Sequence, residues 1–300
     1  MEKNYILKSW DLVNHDNKIK KFYFIPGLIG VIFLMIILVY QVIYTYVVLF
    51  NKQDKALGII LNIFHSEYFI EVIIFGLILF IFYIIFIPIC EGTLIWYLSK
   101  KESIDKEVSI GDSFGGGLYS FLPLFEYGNI FSQFKFISII NIYLFCLRFI
   151  GIKYIEILSS AFLGLLLISV VINILSVYGK FEIVLNNKKS IEALSESIKI
   201  AILNIKTTIK IYFFLFLLNL RILLNFFVFL LFPIIISSAT LYITSKFYLF
   251  ITISILTTLF IALTIILGYL GGVFDILKTS IWYNAYIDGK NKADNLKDEK

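Results

Sequence analysis

The chain has 300 residues, of which 60% are hydrophobic and 16% charged, and its mean hydropathy is +0.92. Soluble chains carry about 25% charged residues, so the surplus apolar side chains must face lipid and a water-soluble domain is excluded. The net charge of +5 comes from lysines that flank apolar stretches instead of gathering on one domain, which excludes nucleic acid as a partner.

The first 21 residues are mostly polar. They contain Tyr5–Val13, a short segment centred on Ser9 with apolar residues near helical spacing. Six apolar stretches follow: Phe22–Phe50, Tyr68–Leu98, Tyr119–Phe149, Ile155–Val184, Ile211–Ile236 and Phe247–Phe274. Each is long enough for the roughly 20-residue helix that a hydrocarbon core about 30 Å thick requires. The first is far longer than the roughly 7–15 residues of a signal h-region and is expected to stay in the mature protein as a span. The third is interrupted by Glu126, Gly128, Asn129 and Lys135. It reads either as one tilted helix or as an interfacial segment followed by a shorter crossing.

Short segments with a central serine recur before the third and fifth stretches, the last of them again with apolar residues near helical spacing. Val108–Leu118 is centred on Ser113 and Ile191–Ile200 on Ser197. In the last of these, Ile191, Leu194, Ile198, Ala201, Ile202 and Ile205 are expected to share one face. Glu192, Glu196, Lys199, Asn204 and Lys206 lie mostly elsewhere, as in a helix lying in the membrane interface. Glu91, Glu182 and Asp275 each fall late in an even-numbered stretch. The expected fold is therefore all-α: a polytopic membrane helical bundle of about six transmembrane helices with interfacial elbow helices and a threefold repeat of helix pairs. It forms a single integral membrane domain over 1–300, with an N-terminal elbow at 1–21, the bundle at 22–274 and a tail at 275–300.

Lysines set the orientation. Of those in loops and termini, 19 fall on one side of the six stretches and four on the other. The positive-inside rule makes the first side cytoplasmic, with both termini there, in a cell membrane crossed several times.

Charges within apolar stretches are costly and need a partner, water or a short reach to the surface. Arg221 lies well inside the fifth stretch, and Glu91 follows Pro88 in the second. With Glu126 and Lys135 they are the candidate functional charges of the membrane, each with the plainer reading of an interhelical pair. Lys188, Lys189, Lys199 and Lys206 form a basic elbow expected to face anionic lipid head groups. The run Gly115–Gly117 lacks the strand–loop–helix setting of a phosphate loop and reads as a flexible elbow or a close helix contact. Gly268, Gly271 and Gly272 read as a close helix contact.

No Ser–His pair, aspartate pair or HExxH stands in the membrane portion, and Cys90 and Cys146 have no metal-ligand spacing. The expectation is a protein that is not an enzyme and has no metal or cofactor. Its partners are membrane lipids, anionic ones above all, and a protein partner or a second copy of the chain. Two elements carry a resemblance: Glu192-Ala193-Leu194-x-x-Ser197, and Asp112-Ser113-Phe114-x-x-Gly117-Leu118-x-x-Phe121-Leu122-Pro123. They resemble bacterial six-span proteins related to the membrane domain of glycerophosphoryl diester phosphodiesterases. That resemblance implies a fold and no catalytic residues, and the soluble phosphodiesterase domain has no counterpart here. The function expected is a non-catalytic membrane-organising or partner-binding role. The alternative is a transporter or lipid-handling protein that uses the intramembrane charges.

Overall fold

The computed structural model describes residues 2–49, 65–103, 109–220, 235 and 245–298, and no strand occurs among them. The helices are α1 (Glu2–His15), α2 (Asn17–Leu49), α3 (Phe69–Ser103), α4 (Ile110–Tyr119), α5 (Phe121–Ser132), α6 (Phe136–Ile150), α7 (Ile155–Ser176), α8 (Gly179–Asn186), α9 (Ser190–Leu203), α10 (Ile205–Leu220) and α11 (Lys246–Asp298). Four of the described helices are long and apolar enough to cross a membrane, and a fifth crossing is reached if the bent pair α9–α10 counts as one. A helix satisfies its backbone polar groups internally, which is what a chain in hydrocarbon needs. The chain is that of an integral membrane protein.

The first, second, fourth and sixth expected spans correspond to α2, α3, α7–α8 and α11. The fifth begins as α10, and its remainder, with Arg221, lies outside the described residues. The third is broken. α5 ends at Ser132, a turn follows, and Lys135 stands in extended conformation before α6. The break frees the Phe134 carbonyl, and α7 satisfies it: Ser169 and Asn173 both donate to that oxygen. The interrupted alternative is the one found, and α6 has 15 residues, about 22 Å of helix.

Two compact units divide the chain. One comprises Met1–Ile19, Ser66–Ile211 and Leu277–Lys300, the other Lys20–His65 and Tyr212–Ile276. In the second unit α2 meets α11 through glycines. A Cβ on Gly27 would overlap the Gly268 carbonyl and the Gly272 backbone, and one on Gly272 would overlap the Tyr23 carbonyl. The Gly268–Gly272 spacing thus permits the close backbone approach that drives helix packing where no hydrophobic force acts between helices.

The first unit holds most of the apolar core. Ile89, Leu94, Leu98, Tyr178, Phe181, Ile183, Ile200, Ile281 and Tyr286 are buried there. Phe181 stacks on Tyr286 with ring centroids 5.3 Å apart, and Tyr178 meets Trp282 edge-on at 5.8 Å. The tail expected at 275–300 is in fact the last part of α11, which runs unbroken to Asp298. Its residues Ile276, Leu277, Ile281, Trp282, Tyr283, Ala285 and Tyr286 are core.

Burial changes abruptly along α3, α7–α8 and α11, the three helices that return toward an elbow. From Phe69 to Pro88, about 30 Å of helix, α3 is exposed around most of its surface, and from Ile89 it is buried. In α7 the mostly exposed stretch ends near Val171, and burial sets in at Ser176. In α11, apart from the glycine contact with α2, it sets in at Ile276. Side chains exposed on every face of an apolar helix belong to lipid. Each return helix is thus mostly exposed over roughly a membrane thickness and then enters a packed layer.

Candidate functional site: the elbow layer and the Glu91 cluster

The packed layer is built on α1, α4 and α9. Ser9, Ser113 and Ser197, one on each, are fully buried. Ser197 donates to the Leu175 carbonyl and accepts from the Tyr178 N–H at 3.1 Å, and Ser9 accepts from Asn284 at 3.1 Å. Ser113 donates to the Ser109 carbonyl at 3.2 Å. At about 100° per residue, each elbow helix has three faces in the same rotational order about its serine. The serine face is buried. The next face is apolar and half-buried to exposed: Ile6 and Trp10, then Ile110, Phe114 and Leu118, then Leu194, Ile198 and Ile202. The third face holds Lys8, Asp11 and His15, then Asp112, then Glu196 and Lys199.

Seven residues after each serine comes a buried polar residue at a junction. Asp16 is 7% exposed, Ser120 2% and Asn204 5%. Asp16 receives the Lys18 and Ile19 N–H groups at the start of α2, satisfying donors that a helix N-terminus leaves open. At Asn204 the chain turns by 98° from α9 into α10.

Gly116 and Gly117 let α4 lie flat on α3. A Cβ on Gly117 would overlap Thr93 and the Ile89 carbonyl, and one on Gly116 would overlap the Trp96 ring. Gly115 faces open space. Of the two readings of this glycine run, close packing is the one found.

Tyrosine hydroxyls and lysines bind the layer together through carboxylates. Asp16 takes the Tyr97 hydroxyl and Lys101, the latter at 2.6 Å. Glu102 takes Tyr283 at 2.9 Å and Lys8 at 2.9 Å. Glu182, fully buried, takes Tyr286 at 3.1 Å, Lys290 at 2.8 Å, Lys188 at 2.9 Å and Asn186 at 2.9 Å. Tyr5 donates to Asp288. These bonds tie α1 to α3 and α11, α3 to α11, and α8 to α11. Asp16, Glu102 and Glu182 each hold at least one lysine as well as a tyrosine hydroxyl, which makes the network a lock between helices.

Glu91 lies apart from this lock and pairs with Lys180 at 2.7 Å. Lys135 and Lys278 are also near enough to act on it electrostatically. Glu91, Lys180 and Lys278 come from three different return helices, and Lys135 from the break before α6. The flanking residues fix the level of the cluster. Ile89 and Thr93, on either side of Glu91, touch Gly117 of α4, and Tyr178, beside Lys180, bonds to Ser197 of α9. Glu91 therefore sits level with the elbow helices, beyond the lipid-exposed stretch of α3.

The remaining expected site residues fall as follows. Glu126 is exposed and accepts from Ser190, the first residue of α9, at 2.6 Å. Lys188 is turned to Glu182 and Glu196, at 2.9 and 3.9 Å. Lys199 pairs with Glu196 at 2.9 Å on the outer face, and Lys189 and Lys206 are exposed. Among the described residues no group of three His, Cys, Asp or Glu could hold a metal ion. Sequence reasoning missed Asp16, Glu102, Lys180 and Lys278. One signal for the first was present, since the position seven after each elbow serine is polar in all three segments. Comparison with known proteins yields no relative: no family model, curated protein or solved structure matches this chain.

Proposed function

We propose that this is a multi-pass protein of the cell membrane, with both termini cytoplasmic and a non-catalytic, membrane-organising or partner-binding role. The observation that carries the reading is the three-faced elbow. Each of α1, α4 and α9 offers one side to the protein, one apolar side and one charged side, as a helix in the plane of a membrane surface must. The shared register of serine, apolar face and junction residue supports a threefold repeat of elbow, span out and span back. The lysine asymmetry makes this surface the cytoplasmic one. Asp16, Glu102 and Glu182 are tied into helix-to-helix bonds, an arrangement suited to a rigid platform.

Orientation is tested by labelling single cysteines in a Cys90→Ala, Cys146→Ser background. His15→Cys should react only with reagent on the cytoplasmic side and Lys153→Cys only from outside. The reverse pattern would sink the topology. The role is tested in reconstituted liposomes: the reading expects no solute flux, and flux that vanishes in Glu91→Gln would replace it with a transporter.

A further inference from the structure

The three elbows are seated alike but not held alike. Each lies on the return helix of the repeat before it: α4 on α3, α9 on the α7–α8 junction and, closing the order, α1 on α11. In two of them the polar residues reach across. Ser9 accepts from Asn284 of α11, and Ser197 bonds both the Leu175 carbonyl and the Tyr178 N–H. Their junction residues are bound from outside as well, Asp16 by Lys101 at 2.6 Å and Asn204 by Lys292 at 2.7 Å. Around α4 the corresponding hydroxyls turn back. Ser113 donates to the Ser109 carbonyl at the start of its own helix, at 3.2 Å, and Ser120 to the Gly116 carbonyl at 2.9 Å. Thr93, facing Gly117 from α3, donates to the Ile89 carbonyl of α3 at 2.7 Å. Lys100 crosses to the Asp112 carbonyl at 3.5 Å, in an exposed position.

The seam between α3 and α4 also leaves a donor open. Gly116 lies against the Trp96 ring, and the buried indole N–H has no acceptor among the described residues. A buried donor without a partner destabilises the arrangement that buries it. The glycine contact that seats α4 is close but non-directional, and a helix packed in that way can slide or lift as a unit. We propose that α4 is a flap on the platform. It lifts from α3 while α1 and α9 stay seated, and lifting lets an oxygen acceptor reach the Trp96 N–H. The lock thus fixes two elbows and leaves the middle one free to move.

Ser9, Ser113 and Ser197 are all fully buried, so a thiol at each reports how often its elbow opens. The full-length protein, with Cys90→Ala and Cys146→Ser, is placed in phosphatidylcholine nanodiscs. Ser9→Cys, Ser113→Cys and Ser197→Cys are then labelled with N-ethylmaleimide. Ser113→Cys should react at least about tenfold faster than the other two. Trp96→Phe keeps the ring and removes the open donor, so adding it should slow labelling at position 113 about fivefold. Equal rates at the three positions, or a rate at 113 that Trp96→Phe leaves unchanged, overturn the flap. Should Ser9→Cys or Ser197→Cys fail to fold, hydrogen exchange of the unsubstituted chain and of Trp96→Phe decides. Amides of α4 that exchange at least about tenfold faster than those of α9, and that slow in Trp96→Phe, support the flap. Exchange in α4 as slow as in α9 overturns it.

Discussion

Asp16 shows how one side chain joins two elements. Its carboxylate caps α2 and at the same time takes a tyrosine and a lysine from α3. Burial alone would raise its pKa, but the Lys101 and Tyr97 hydrogen bonds, the Ile19 N–H and the Lys101 charge together hold it below the usual aspartate value. A folded-state pKa below the unfolded one means the ionised group stabilises the fold at every pH above the unfolded value of about 3.9. That contribution fades as pH falls through the lower folded value. Asp16→Asn keeps a capping oxygen and loses the charge, so its cost should be about 1–2 kcal/mol near neutral pH. The estimate is at the low end because Lys101 is 41% exposed and water takes part of its charge. Thermal unfolding of the two proteins should show a constant gap above about pH 5 that closes below about pH 4. A gap that persists into acid would mean that the cap geometry, and not the charge, is what α2 needs.

At the scale of elements, the glycine run of α4 is a built-in comparison. Gly115, Gly116 and Gly117 are consecutive, yet only the last two face α3. Gly117→Ala should force α4 off Thr93 and Ile89, an overpacking that costs about 1–3 kcal/mol. Gly115→Ala meets nothing and should be neutral or stabilising by up to about 1 kcal/mol through helix propensity. Equal melting temperatures for the two variants would remove close packing as the reason for the run. What was legible in the sequence follows the same division. The first and third elbows could be read from helical spacing around Ser9 and Ser197, because such periodicity is local, whereas the second showed only its central Ser113. The break before α6 could be read only as an alternative, since its stability depends on Ser169 and Asn173 of another helix reaching the Phe134 carbonyl. Glu91 was identified as a charge in need of a partner, but Lys180 is 89 residues away in the chain. Pairing across such a distance is a property of packing that no periodicity displays.

At the scale of the molecule, the division of labour along the return helices explains both the topology and its least expected part. Apolar residues that face lipid gain nothing from contact with one another, so cohesion must come from the packed ends of these helices. There Tyr, Trp and Ile side chains can be buried against other helices and away from water. The end of α11 was expected to be a polar tail because Lys278, Asp288, Lys290 and Lys292 punctuate it. Three of these charges are spent on internal partners: Asp288 on Tyr5, Lys290 on Glu182 and Lys292 on Asn204 at 2.7 Å. Between them Ile281, Trp282, Tyr283 and Tyr286 enter the core. A dispensable tail and a core helix respond differently to truncation. Stopping the chain after Ile276 removes these aromatics, strands the fully buried Glu182 without Lys290 and Tyr286, and deprives Ser9 of Asn284. Loss of one large buried aromatic costs about 3–5 kcal/mol, comparable with the whole stability of many domains. The truncated chain should therefore insert but fail to give a monodisperse peak on size-exclusion chromatography in mild detergent. Limited proteolysis should cut it within α1 and α9, whose buried faces lose their cover. Stopping after Asp298 should leave both readouts as in the full chain. A well-folded protein ending at Ile276 would show that the elbow layer holds together without α11, and would return residues 277–298 to the status of a tail.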